Sequence, residues 1–450
     1  MSIFRPTPFY LACLVGLSGT AQAGGLGVTV QSASGGGTAA TGHALADDAS
    51  AMYYNPALLS SLEGTQINTG VGLLSTDTKL TNRGSTLPTG AGGTLVQGNN
   101  TAKPGGLSVT PSFYYKRDLS EKMAFGIGVN TPFGVSTEYD PDSFTRYEAL
   151  ESSLKTVNIN PAVSWKVNDK LAVGAGVNVQ IAHAELGRAI DSRLACAAVG
   201  GGAACAGLLP GSVSNAHDSK SLMEGESVAL GANIGVAYQP TDKTTLSASY
   251  RSSIKHEMDG DVAFTLSPTA QAVPQVAATF INQKATADLK MPASVSLAAA
   301  HQVNDKLAVH GDATWTQWSS VPEIRIKFPD RTLPDSVTDL QWEDTVRLGG
   351  GVTYKMNDTT KLRAGIAFDP TPTPSDKNRS PRAPSADNWW YSAGIAKKLR
   401  KNLELDASVS LVKPEDVTIN YTTPGTSNYT TRADVNSDAI SGAVSLNYRF

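Results

Sequence analysis

The feature that most constrains the fold of this chain is a hydrophobic pattern with a period of two residues. It runs through long segments, such as residues 157–167 and 171–182. The apolar side of the first segment consists of Val157, Ile159, Pro161, Val163, Trp165 and Val167. Successive side chains of a β-strand point to opposite faces, so the pattern predicts strands with one apolar face. Ordinary strands have about five or six residues, whereas a tilted strand that crosses a bilayer has about 9–11. These lengths therefore favour membrane-spanning strands.

The composition agrees with strands that cross a membrane and argues against helices that do so. The chain is 40% hydrophobic and contains 42 glycines, and its mean hydropathy is −0.16. Beyond residue 23 no apolar stretch reaches the roughly 18 residues that a transmembrane helix needs. Barrel strands carry polar residues on one face, which keeps the average hydropathy near neutral. The formal net charge is only −3, without a basic tract, so no nucleic-acid partner is expected.

The predicted connections between strands alternate between short turns and long polar loops. The turn signals are Arg117-Asp118, Asn168-Asp169, Pro240-Thr241-Asp242, Asn304-Asp305, Asn357-Asp358 and Arg400-Lys401-Asn402. Asn and Asp suit such turns because they tolerate left-handed backbone. The intervening loops include residues 81–106, 189–219, 267–285 and 328–341. Short turns at one end and long loops at the other are typical of outer-membrane barrels.

Together these signals predict an all-β fold, a 14-stranded antiparallel transmembrane β-barrel in a bacterial outer membrane. The predicted strands are 65–80, 107–117, 122–139, 153–167, 170–188, 222–239, 243–259, 286–303, 306–327, 342–356, 360–370, 388–399, 402–421 and 431–450. The last strand alternates up to Phe450. A terminal Phe on such a strand resembles the signal by which the barrel assembly machinery recognises its substrates, so this machinery is an expected partner.

Two segments before the barrel need separate interpretations. Residues 1–23 read as a secretory signal, with Arg5 in the basic region and an A-x-A cleavage site that ends at Ala23. Cys13 leaves lipidation as an alternative. Residues 24–64 are rich in small residues and end in Asn55-Pro56-Ala57-Leu58. They form either a disordered tail or a hatch that plugs the lumen, before a barrel domain at 65–450.

Pro132 interrupts the alternation within the third predicted strand. Proline cannot donate to the hydrogen-bond ladder, and a closed barrel has no edge to accommodate it. Together with Gly134, it predicts either an opening in the wall or a strand end outside the membrane. Cys196 and Cys205, the cysteines that remain after the signal, are either bonded to each other or free thiols in a mobile loop.

Several motifs occur in a recognisable order along the chain. They are Ala46-Asp47-Asp48-Ala49 with Asn55-Pro56-Ala57-Leu58, Phe125 to Gly134, Tyr250-Arg251-Ser252, Trp315 to Trp318, Arg363 to Asp369, Asn378-Arg379-Ser380 and Trp390 to Gly394. In this order they resemble the long-chain fatty acid transporter family of outer membranes, the FadL type. The resemblance implies an N-terminal hatch with Asn55, Pro56 and Ala57 as its motif. It also implies ligand capture at apolar extracellular loops.

The resemblance and the chemistry of amphipathic carboxylates indicate candidate ligand-binding residues. Arg188 matches a head-group arginine position, and Arg325 and Lys327 lie in a region where the family has a lysine, although the local spacing differs here. The apolar loop residues are Leu208, Leu209, Val276 and Phe280, which either bind ligand or pack on each other. The predicted lateral opening at the kinked third strand comprises Asn130, Thr131, Pro132, Phe133 and Gly134.

The predicted function is passive transport of long-chain fatty acids or similar hydrophobic molecules, captured at the loops and released laterally. A transporter of aromatic or aliphatic hydrocarbons, or a general diffusion porin, is the alternative. The histidines lack metal-ligand spacing and no catalytic constellation is evident, so neither an enzyme, a cofactor nor a metal is expected. The expected partners are the hydrophobic ligand, outer-membrane lipid and lipopolysaccharide, for a monomeric barrel.

Overall fold

The computed structural model describes residues 24–88, 93–329, 333–425 and 428–450; the predicted signal lies outside these ranges. The strand segments are β1 Gln66–Asn82, β2 Thr101–Ala102, β3 Leu107–Asp118, β4 Met123–Asn130, β5 Gly134–Glu138, β6 Glu151–Asn168, β7 Leu171–Ile190, β8 Ser219–Thr241, β9 Thr244–Arg251, β10 Ile254–Thr265, β11 Gln283–Met291, β12 Ser294–Gln302, β13 Leu307–Thr316, β14 Glu323–Lys327, β15 Ser336–Asp339, β16 Thr345–Asn357, β17 Thr360–Asp369, β18 Asn388–Arg400, β19 Leu403–Pro414, β20 Val417–Thr422 and β21 Thr430–Arg449.

These segments form one closed, antiparallel barrel of 14 strands. Six barrel strands consist of two consecutive segments, namely β4/β5, β9/β10, β11/β12, β13/β14, β15/β16 and β19/β20, and β2 is a short addition to β1. The first and last strands close the barrel along their whole length, from Gln66 opposite Arg449 to Asn82 opposite Ala433. The predicted 14-stranded fold is therefore confirmed.

The connections follow the predicted alternation. Each predicted turn joins two adjacent strands; for example, Asn168 ends β6 and β7 begins at Leu171. At the opposite end, the connections include residues 139–150, 191–218 and 370–387. Among the described residues no helix has the length and apolarity to cross a membrane.

The outer surface and the lumen differ in polarity as the period-two pattern requires. On β8 the exposed side chains include Val228, Leu230 and Ile234, while Asn233 is buried in the lumen. Apolar residues therefore face lipid and polar residues face the interior through the membrane-spanning part of the strands.

Residues 24–64 fold inside the barrel as a hatch, so the alternative of a disordered tail is wrong. The hatch contains the helices Ala33–Gly36 and Ala51–Tyr54 and the 3-10 helix Pro56–Ser61. Asn55 caps this last helix, since its Oδ1 accepts from the Ala57 amide at 2.9 Å. The Asn55 Nδ2 donates to the wall, to Ser247 Oγ at 2.7 Å and to the Val236 carbonyl at 3.0 Å. The Asn-Pro-Ala motif thus both starts a helix and ties the hatch to the barrel.

Glycines on the inner wall give the hatch room to dock. A Cβ at Gly235 would lie 1.9 Å from Asn55 Oδ1, and one at Gly365 would lie 2.3 Å from the Thr38 carbonyl carbon. At both positions a side chain would collide with the hatch. The small-residue composition of hatch and wall therefore reflects close packing of one backbone on another.

Ion pairs also anchor the hatch. Asp47 in the hatch lies 3.0 Å from Arg363 and 3.3 Å from Lys361, both on β17. Arg363 pairs in turn with Asp406 on β19 at 2.6 Å. Burial alone would raise the pKa of the Asp47 carboxyl, but the Lys361 and Arg363 charges outweigh it and hold that pKa well below its usual range. The carboxylate is therefore ionised at neutral pH and binds the hatch to the wall.

A bulky side chain at Gly365 should displace the hatch. In Gly365→Leu the added atoms meet the Thr38 backbone, which cannot move away as a flexible side chain could. We expect ionic conductance in planar bilayers to rise well above that of the parent protein. Ala364→Leu, on the exposed face of the same strand, is the matched control and should leave conductance low. Equal conductance of both variants and the parent would contradict a hatch held by this contact.

Candidate functional site

An apolar cavity lies inside the long-loop half of the barrel. It encloses about 870 Å³ of empty space, a figure that includes its open mouth. Its apolar lining comes from the hatch, the wall and the loop at 370–387, and includes Leu26, Val135, Leu154, Ala184, Leu186, Met223, Met258, Leu289, Ile324, Ile326, Leu340, Trp342 and Ala383. Such a surface suits an alkyl chain or an aromatic ring.

Two arginines lie at one side of this cavity. Arg382, from the loop at 370–387, lines it and is buried. Its Nη1 donates to Ser152 Oγ at 3.0 Å, and its Nε lies 3.5 Å from the Glu148 carboxylate. Burial and the nearby Arg188 guanidinium lower the pKa of Arg382, whereas Glu148 opposes this. Within the described ranges Arg188 itself makes no salt bridge and is half-buried. Arg382 is thus paired with Glu148, whereas Arg188 has no carboxylate partner among the described residues, so its guanidinium is the one that could meet an anionic head group.

Arg325 and Lys327 do not point into the cavity. They alternate on β14 with Ile324 and Ile326, which line it. Arg325 pairs with Glu323 at 2.6 Å and with Asp335 at 3.2 Å, and Lys327 lies 3.4 Å from Asp288. They were predicted to bind ligand, but they do not line this cavity, because at this height the apolar face of β14 covers it and the charged face lies outside.

The third barrel strand is broken at the predicted place. β4 ends at Asn130 and β5 begins at Gly134, and residues 131–133 belong to neither segment. Across the break the pairing with β6 shifts by one residue, since Asn130 lies opposite Asn158 and Gly134 lies opposite Lys155. The extra residue behaves as a bulge and separates the two segments of the strand.

The break leaves a gap in the wall. Residues 107–112 of β3 pair with β1 alone, because β3 meets β4 only from Phe113 onward. On the other side of the gap, β5 pairs with β6 alone. A cavity of about 650 Å³ lies here, bordered by Ser108, Thr110 and Ser136. The wall between the second and third barrel strands therefore has no continuous ladder.

The N-terminal segment of the hatch satisfies the backbone groups that the break exposes. The Val28 amide donates to the Pro132 carbonyl at 2.9 Å, and the Gly134 amide donates to the Leu26 carbonyl at 2.9 Å. Phe133 bonds instead to Thr156, whose Oγ1 accepts from the Phe133 amide at 3.0 Å. The same hatch segment lies beside both cavities, since Leu26 lines the apolar one and Val28 the one at the gap.

The apolar loop residues form a cluster of their own above the barrel. Leu208 and Val276 come from two different loops and are buried together in one cluster. Its other buried members are Cys196, Cys205, Ala270 and Val273. Cys196 and Cys205 are joined by a disulfide, with a Cα–Cα distance of 5.8 Å. Phe280 is half-buried and its ring meets Phe264 edge to face, 5.5 Å between centroids. Leu209 is exposed. Loop packing therefore accounts for Leu208 and Val276, and Leu209 remains available at the surface.

The predicted site residues are thus distributed over three places. Arg188 lies near the apolar cavity, residues 130–134 lie at the wall gap, and the loop residues lie above. Sequence reasoning missed Arg382, whose only signal was its position next to the Asn378-Arg379-Ser380 motif.

Comparisons with known proteins agree on the family. Residues 14–450 match the model of the family described as "Outer membrane protein transport protein (OMPP1/FadL/TodX)". Outer membrane protein P1 of Haemophilus influenzae is 28% identical over 460 residues, covering 96% of each chain. The long-chain fatty acid transport protein of Escherichia coli K12 is 25% identical, over 91% of this chain and 92% of that one.

Solved structures show the same fold. The crystal structure of a Pseudomonas aeruginosa FadL homologue superposes with a TM-score of 0.84 at 24% identity. The superposition covers 95% of this chain and 100% of the homologue. The Ralstonia pickettii toluene transporter superposes with a TM-score of 0.62 at 20% identity, over 89% of this chain and 94% of that one. The family match spans the barrel and the hatch, and the chain therefore belongs to the OMPP1/FadL/TodX family of outer-membrane transport proteins.

Proposed function

We propose that this protein is a passive transporter of long-chain fatty acids or similar hydrophobic molecules across the outer membrane. The observation that carries the proposal is the adjacency of an apolar cavity and a gap in the barrel wall. Val135 and Leu154 line both the apolar cavity and the cavity at the gap. A ligand that leaves the first can therefore reach the second without crossing a polar layer.

The proposed route runs from the loops to the lipid. Ligand adsorbs at the apolar loops, near Leu209, and enters the apolar cavity, where each buried methylene contributes about 0.8 kcal/mol. It then displaces Leu26 to Val28 from the third-strand break and leaves sideways past Pro132 into the outer leaflet. This direction suits a ligand that dissolves poorly in water, and no energy source is required.

A carboxylate head group fits the arginines beside the cavity. Arg188 and Arg382 would bind it by charge-assisted hydrogen bonds. An uncharged hydrocarbon is the second candidate, because the rest of the lining is almost entirely apolar. Both ligands would use the same cavity and the same exit.

Uptake by whole cells tests the proposal. A strain without this protein should take up oleate and aromatic hydrocarbons more slowly than its parent, and expression of the protein should restore uptake of at least one of them. Unchanged uptake of both ligand classes in the deletion strain would refute the proposed function.

Arg188→Ala should separate the two substrate classes. Loss of one charge-assisted hydrogen bond costs about 1.5–3 kcal/mol, so oleate affinity should fall roughly 10- to 100-fold, less if water screens the group. Toluene uptake should remain at the parental level, since toluene has no charge to bind. Isotope-labelled uptake of both compounds by the same cells provides the measurement. A parallel loss for toluene would indicate a structural role for Arg188.

Other expectations remain proposals. Removal of residues 1–23 would make Gly24 the first residue of the hatch, and residues 65–450 would form the barrel domain. Phe450, exposed at the short-turn end, would be read by the barrel assembly machinery. The apolar outer belt would contact outer-membrane lipid and lipopolysaccharide, around a monomer.

A further inference from the structure

A second, polar cavity lies below the apolar one, between the hatch and the wall. It encloses about 1,010 Å³ of empty space, open to the surrounding lumen. Hydroxyl side chains of three neighbouring strands line it, namely Ser294, Ser296, Thr314, Thr316 and Thr345. A long apolar tail gains little from such a surface, so this cavity suits a smaller and more polar ligand.

Aromatic packing separates the two cavities. Trp318 lies between Phe133 and Trp342, with ring centroids 6.3 Å and 5.3 Å apart and edge-to-face geometry in both pairs. Trp342 borders the apolar cavity, whereas Phe133 and Trp318 border the polar one. The two cavities have no lining residue in common, and each can therefore hold its own ligand.

The charges of the polar cavity are unbalanced. Among the described residues that line it, two are arginines, Arg251 and Arg347, and one carries a carboxylate, Asp369. The Gly24 amide already donates to that carboxylate at 3.1 Å. Arg251 is satisfied by Asn178 Oδ1 at 2.8 Å and by the Tyr53 carbonyl at 2.8 Å. Arg347 is therefore the arginine of this cavity that still has a hydrogen-bond donor to offer.

The Nε of Arg347 has no hydrogen-bond partner among the described residues, although only 9% of the surface of this residue is exposed. Its Nη2 donates to the Ala39 carbonyl. Its Nε lies 3.9 Å from Asp369 Oδ2, too far for a hydrogen bond, and finds no acceptor in the described part of the chain. A buried guanidinium donor without a partner is costly and favours an anionic acceptor in the cavity.

We propose that this polar cavity is a second ligand site, for a small aromatic carboxylate. The carboxylate binds Arg347, the wall hydroxyls donate to it, and the ring lies against Tyr53, Phe133 or Trp318. The site goes beyond the proposed transport of hydrophobic molecules, because its ligand is soluble in water and does not occupy the apolar cavity.

Equilibrium binding of benzoate to the full-length protein in lipid nanodiscs tests the proposal. The parent should bind benzoate saturably, and Arg347→Met should weaken binding about 10- to 100-fold. Benzyl alcohol, which lacks the charge, should bind both proteins alike. Arg400→Met, at an exposed turn, is the control for loss of a positive charge and should bind benzoate as the parent does.

Arg347 also holds the hatch through Ala39, so a second variant avoids that contact. Ser296→Phe fills the cavity from the opposite wall and should abolish benzoate binding while oleate binding persists. Benzoate affinity equal to the parent's in both variants would overturn the proposal. Absence of saturable binding to the parent, or competitive displacement of benzoate by oleate, would overturn it too, and neither result would affect the transport of hydrophobic ligands.

Discussion

Ser108→Trp should reduce uptake of hydrophobic ligand to the level of cells without the protein, while ligand still binds. Ser108 borders the gap between β3 and β5, and its Oγ has no hydrogen-bond partner in the described ranges. An indole group at this position would extend into the cavity that lies at this gap. Because the apolar cavity is unchanged, the variant should trap the ligand inside. Uptake and equilibrium binding of labelled oleate, measured on the same preparation, provide the test.

Ser75→Trp is the matched control for this experiment. Ser75 is exposed on the lipid-facing side of neighbouring β1, so the same side chain is added near the gap without entering it. This control should transport at the parental rate. Full uptake by Ser108→Trp would show that ligand does not leave through the third-strand gap. Loss of both binding and uptake would instead indicate a misfolded barrel.

Ala184→Trp should abolish high-affinity binding of hydrophobic ligand. Ala184 lines the apolar cavity from β7, and an indole group there would occupy the space of several methylenes. Exclusion of about four methylenes costs about 3 kcal/mol, or roughly 100-fold in affinity. Displacement of a fluorescent fatty acid from purified protein measures this change. Uptake should fall in parallel, because in the proposed route the ligand occupies this cavity before it reaches the gap.

Ala175→Trp provides the control on the same strand. Ala175 is exposed on the outer face of β7, where the bilayer accommodates a large apolar side chain. Its affinity should match that of the parent. If Ala184→Trp also retained parental affinity, the main binding site would lie elsewhere, at the loops or in the polar cavity.

Local patterns in the sequence were sufficient for the strands and their turns. The alternation depends only on which side of one strand each residue faces, and Asn-Asp turns depend only on local backbone preferences. For this reason the turn at Asn168-Asp169 and the break at Pro132 occur where they were predicted. Proline cannot donate to a ladder in any tertiary context, although Pro111 and Pro161 lie within unbroken strands.

Local patterns could not predict whether the charged side chains near the loops point into the barrel or away from it. Within the membrane an apolar side chain faces lipid, and the same alternation on β14 would place Arg325 and Lys327 towards the lumen. At the level of the apolar cavity the order is reversed, with Ile324 and Ile326 inside. The alternation is identical in both cases, and only the position of the strand relative to the hydrocarbon layer distinguishes them.

The sequence therefore determined a barrel, its strand count, its hatch motif and the place where its wall is interrupted, because each rests on short-range periodicity or on one residue's backbone chemistry. The tertiary structure alone decided what surrounds that interruption. It brought Arg382 from a distant loop to Arg188. It placed hatch residues Leu26 and Val28 on the freed backbone of the third strand, and it packed Phe133, Trp318 and Trp342 edge to face between two cavities. These residues are far apart in the chain, and their contacts follow from closure of the barrel around the hatch, which no local pattern encodes.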